Sequence, residues 1–128
     1  MISYGFLKEL NVPFEKAVER VTEELKKEGF GILTTIDVKE KFKEKLGIDF
    51  KKYVILGACN PSFAHKSLLG EENIGLLLPC NVIVYEKGST TAIGIIKPTA
   101  AMGMVENENL RGIANDVEVK LKNVFEAL

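Results

Sequence analysis

Apolar residues recur along the chain at two distinct periods. Phe14, Ala17, Val18, Val21 and Leu25 fall three and four apart, which makes one buried stripe on a helix. Pro13 opens that run, where a missing N–H is harmless, and Gly29 stands just beyond it, where a helix ends in a left-handed residue. Glu23 and Lys27 are spaced to pair on its exposed side. A longer run at the same period holds Leu110, Ile113, Ala114, Val117, Leu121, Val124, Phe125 and Leu128 and predicts a helix over 108–128. Gly112 interrupts it and reads as a place of close packing.

Between these helices the pattern changes. Residues 2–7, 31–36, 53–58, 76–85 and 90–96 are rich in β-formers and read as strands. The stretch 53–58 is apolar at nearly every position, as in a strand covered on both sides. Pro79 requires a bulge or an edge in its strand, and 87–89 form the turn of a hairpin. Asp37 with Glu40 three residues on is a capping box that opens a helix over 38–46, stopped at Gly47. Asn60 reads as the cap of a further short helix that begins at Pro61 and ends at Gly70. Residues 97–107 are irregular. The order predicts an α+β domain spanning 1–128: a single, mostly antiparallel sheet with the two longer helices packed on one face. A doubly wound parallel sheet fits less well, because 82–96 is a hairpin and helices do not alternate regularly with strands.

Composition narrows the function classes. Of 128 residues, 46% are apolar and 27% charged, which is globular. Seventeen basic against eighteen acidic residues give a net charge of −1, so no concentrated positive charge is present for nucleic acid or an anionic membrane surface. Six lysines fall between Lys39 and Lys52, but Glu40, Glu44 and Asp49 interleave them, as on a solvated face. The longest apolar run, 74–85, is shorter than the about 20 residues of a membrane span and contains Pro79 and Asn81. The opening residues lack the pattern of a signal peptide, so a cytoplasmic protein with two reduced cysteines is expected.

Candidate chemistry gathers at those cysteines. Cys59 precedes the Asn60-Pro61 helix start, whose free N–H groups and dipole would favour a thiolate or a small anion near Ser62. The alternative is a small hydrophobe at that helix start. Cys80 lies between Pro79 and Asn81, where a bulge can border a site. If the two segments are neighbours, Cys59, Asn60, Ser62, Cys80 and Asn81 would line one pocket. His65, the sole histidine, is five residues past the cap, too far along the axis for a dyad with Cys59. Met102 and Met104, with the cysteines and His65, are soft ligands of the Cu(I) type, but no close ligand pair supports a metal. The chain has no G-x-S-x-G, Walker A or G-x-G-x-x-G sequence, and no cofactor is indicated. Three functions stand open: a small-ligand-binding or sensing module, a thiol enzyme or redox protein using Cys59 or Cys80, and an assembly domain without a site.

The segments Gly57-Ala58-Cys59-Asn60-Pro61 and Gly75-Leu76-Leu77-Leu78-Pro79-Cys80-Asn81 are unusual together. With Gly29-Phe30-Gly31 before a strand ending in Ile36-Asp37-Val38, they resemble the bacterial and archaeal domain of unknown function family 302, from about Tyr4 to the last helix. The resemblance implies a compact α+β domain of the TATA-binding-protein-like group, with a β-α-β4-α arrangement, and a homodimer. It does not imply DNA binding, and it brings no activity, substrate or cofactor.

Overall fold

A computed structural model describes residues 2–128. Its strands are β1 (Gly5–Leu10), β2 (Gly31–Asp37), β3 (Tyr53–Cys59), β4 (Cys80–Lys87) and β5 (Thr90–Ile96). Its helices are α1 (Phe14–Lys27), α2 (Val38–Leu46), α3 (Pro61–Gly70), the single turn α4 (Pro98–Ala101) and α5 (Glu108–Glu126). All five strands form one antiparallel sheet in the order β1-β5-β4-β3-β2. Leaving the short helices aside, the chain runs β-α-β4-α, an α+β fold.

The two long apolar stripes meet on one side of this sheet. Ala17, Val21 and Leu25 of α1 and Val117, Leu121 and Val124 of α5 are buried against Val54, Leu56, Val82, Val84, Ile93 and Ile95. A fully buried Leu, Ile or Val contributes about 1.5–3 kcal/mol relative to an exposed one, so this layer carries most of the stability. A smaller cluster of Ile74, Met102, Leu110 and Ala114 closes the end of the molecule where α3 and α5 meet.

Several local expectations change. The first strand is displaced from 2–7 to Gly5–Leu10, because pairing follows its partner β5, from Gly5↔Ile96 to Leu10↔Thr91. The expected strand 76–85 begins only at Cys80. Glu72–Leu77 is a 3-10 helix, and Pro79, which has no N–H to donate, precedes the ladder. β4 is therefore an interior strand, neither bulged at Pro79 nor at an edge; the bulge lies instead in β2, between Ile32 and Thr34. Residues 97–107 contain α4 and a 3-10 turn, Met102–Met104. Lys27 pairs with Glu24 at 2.7 Å, one residue from the expected Glu23. Gly112 is exposed, and a Cβ there would meet nothing within 4 Å, so no close packing explains it. The capping residue Asp37 accepts from the Glu40 N–H at 2.9 Å, and the glycines after α1 and α2 adopt positive φ of 86° and 66°.

Candidate functional site

Adjacent strands bring the two cysteine segments together. Cys80 opens β4 directly opposite Ala58, so Cys59, the last residue of β3, is its diagonal neighbour. Both thiols are free and partly buried, and both line one cavity of about 230 Å³. The walls are apolar. Phe30 comes from just before β2 and Leu33 from within it, Phe63 and Ala64 from α3, and Leu78 and Pro79 from the chain before β4, while Val117 from the middle of α5 and Met102 complete the wall. Among the described residues, the polar groups lining it are the Asn60 amide and the Ser67 hydroxyl, and no charged side chain does. Ser67 is buried and donates to the Phe63 carbonyl at 2.8 Å, as a serine does when it bonds back one helical turn. Ser67 and the two phenylalanines were not candidates from sequence; the only signal was a serine on a short helix, which spacing cannot separate from a surface residue.

Glycine makes the close approach possible. A Cβ at Gly57 would collide with the Thr34 hydroxyl and lie 2.7 Å from Pro79 Cγ. Position 57 must therefore lack a side chain if Pro79 is to sit over β3 and bring Cys80 beside Cys59.

Asn60 does not cap α3. Its side-chain N–H donates at 3.4 Å to the carbonyl of Glu28, at the end of α1, and no side chain accepts from the first turn of α3. The expected cap is thus replaced by a tie between two elements 32 positions apart, and the Ser62 and Phe63 N–H groups keep no side-chain partner. The tie needs Gly29, whose φ of 86° turns the chain and whose missing Cβ leaves room for the Asn60 amide at 3.0 Å.

The other candidates separate. Ser62 is exposed and does not line the cavity. Asn81 follows Cys80 by one residue, so strand alternation turns it to the opposite face of the sheet, where it borders a different groove. His65 is exposed on α3, and Met104 is 73% exposed, so neither joins Met102 at the cavity. Among the described residues no three His, Cys, Asp or Glu side chains are grouped as metal ligands. Burial raises the pKa of both thiols, that of Cys80 to about 11 with a smaller contribution from Cys59. This is the reverse of what a ready thiolate requires.

Comparison with known proteins agrees with this fold. A solved structure, the crystal structure of uncharacterized conserved protein DUF302 from Bacillus stearothermophilus, is 37% identical, with 98% of each chain covered and a TM-score of 0.90. No curated protein matches. Among the described residues, no helix is long and apolar enough to cross a membrane. The family described as Domain of unknown function DUF302 matches residues 6–128, nearly the whole chain, and the protein belongs to that family.

Proposed function

We propose that the chain is a small-ligand-binding module whose ligand occupies the cavity between the Cys59-Asn60 and Pro79-Cys80 segments. The observation that carries this reading is the cavity itself: an apolar chamber of about 230 Å³ with few polar groups converging on it. Its size suits a metabolite smaller than a drug-sized molecule. Its lining suits an apolar body held by Phe30, Phe63 and Val117. An anionic end group faces the start of α3, where the first N–H groups have no cap and the helix dipole is positive. The side chains of Ser62 and Asn81 are not part of this binding set. Burial of both thiols supports binding over nucleophilic or redox use of Cys59 or Cys80, and a cavity gives an assembly domain without a site less support. The family resemblance adds a homodimer to the reading.

The test is a screen of small carboxylic acids and their neutral analogues by ligand-observed NMR. Ala64→Leu fills the cavity wall and is expected to abolish binding of the hits while leaving the fold intact. Asn60→Asp is expected to weaken the anionic hits about tenfold or more relative to the neutral hits, by placing a like charge within a few ångströms, while the neutral hits report the separate effect of losing the Asn60–Glu28 tie. Hits that bind Ala64→Leu as well as wild type would place the site elsewhere.

A further inference from the structure

One stripe of α3 lines the cavity along its length. Asn60, Phe63, Ala64 and Ser67 stand three and four residues apart, the spacing of a single helical face, and all four border the same space. Exposure falls along that stripe. Asn60, Phe63 and Ala64 are half-buried, whereas Ser67 is 2% exposed. The facing walls show the same gradient: Leu33 is 66% exposed, and Met102 and Val117 are buried. The cavity therefore has its mouth at the start of α3 and its closed end at Ser67, about 6 Å along the helix axis from Phe63. The hydrogen of the Ser67 hydroxyl is already engaged, donated to the Phe63 carbonyl at 2.8 Å. A hydroxyl carries one donor and two lone pairs, so what this buried oxygen still offers is acceptor capacity. Among the described residues no charged side chain lines the cavity, so a cation at the closed end would lose its water without gaining a counter-charge.

We infer that the ligand's buried end is a neutral hydrogen-bond donor, a hydroxyl or an uncharged N–H, accepted by Ser67 Oγ. This deepens the ligand reading above and rests on it. A ligand acceptor at the same place would have to draw the Ser67 hydrogen away from Phe63, breaking one bond to make another. A donor adds a bond and breaks none. An ammonium group is excluded by the missing counter-charge, which leaves the neutral donors. With the acid group at the mouth, the ligand is a small acid that carries its donor about 6 Å from the carboxylate, the axial distance between the two ends of the stripe. A para-substituted aromatic ring holds two groups at such a separation, and Phe30 and Phe63 on the walls offer it aromatic partners. Hydroxyaryl acids are the class that meets all of these conditions.

The test titrates isotope-labelled protein with para-hydroxyphenylacetate, para-methoxyphenylacetate and phenylacetate, and reads dissociation constants from amide shifts. Wild type should bind the hydroxy acid about fivefold or more tightly than the other two, the factor that one buried hydrogen bond supplies. Ser67→Ala removes the acceptor, and Ser67→Cys keeps a side chain of similar shape with only a weak acceptor. Both variants should lose the preference and bind phenylacetate as wild type does. Equal binding of the three acids by wild type, tighter binding of the methoxy acid, or a hydroxyl preference that survives in both variants overturns the inference. If binding is also lost in Ala64→Leu, each of these results leaves the cavity reading standing. Failure of all three acids, while other acids bind wild type and not Ala64→Leu, likewise overturns the donor class and keeps the cavity. Failure of every acid in the wider screen overturns both.

Discussion

At the scale of single residues, the two thiols differ in how much of their environment has been made apolar. Cys80 shares its cavity with Leu78, Phe63 and Val117, and burial raises its pKa from 9.0 to about 11. The native state then holds the proton more tightly than the unfolded chain. Full stability is present below pH 9 and is lost as pH climbs towards about 11, by about 2–3 kcal/mol. Urea midpoints at neutral pH and near pH 10 should therefore fall in wild type, and the fall should shrink in Cys80→Ala. Equal falls in the two proteins would assign the alkaline loss to other groups. Gly57 gives a second prediction. Its absent Cβ is the space that Pro79 and the Thr34 hydroxyl occupy, so Gly57→Ala should destabilise by about 1–3 kcal/mol through overpacking. It should also move Pro79 off β3 and weaken ligand hits. Neither role is visible in sequence, where Gly57 is one small residue in an apolar run.

At the scale of elements, periodicity located what depends on one face and missed what depends on partners. The stripes of α1 and α5 are legible because burying a helix demands apolar residues every third or fourth position, and the same residues form the core. Asp37 is legible because a cap and its N–H lie three residues apart in the same segment. Asn60 looks identical in sequence but bonds Glu28, 32 residues away, so the local pattern gives the wrong partner. The start of β4 was misplaced for a related reason. Leu76 and Leu77 belong to a 3-10 turn, an apolar run whose conformation is set by the cluster around Ile74 rather than by alternation. Two substitutions separate local from non-local roles. Asp37→Ala should cost about 1 kcal/mol in thermal or chemical unfolding, the ordinary value of a lost helix cap. Gly112→Ala should stabilise by about 0.5–1 kcal/mol, because the position is helical, exposed and has open space for a methyl group. A loss on Gly112→Ala would reveal a contact that the open position does not contain.

At the scale of the whole molecule, the sheet separates two surfaces that the sequence interleaves. Cys80 and Ile83 are three residues apart on one strand, yet alternation assigns them to opposite sides, one to the cavity under α3 and the other to the sheet face turned away from α1 and α5. Proximity in sequence therefore brings no shared function, and this is why Asn81, next to Cys80, was placed in a pocket from which the pleat excludes it. Apart from the strands themselves, the cavity is bounded by elements that lie on the side of Cys80: α3, Met102 and the middle of α5. Changes at the two surfaces should then be nearly independent, as are sites without shared partners. The alkaline titration supplies a readout that needs no ligand. Ile83→Glu should leave the stability loss assigned to Cys80 in place, because residue 83 faces away from the cavity that holds that thiol. Ala64→Leu should do the reverse, altering the surroundings of Cys80 and with them its alkaline loss. If Ile83→Glu abolishes the Cys80-dependent loss, the two faces are coupled through β4, and the sheet is not the rigid partition that its antiparallel ladder implies.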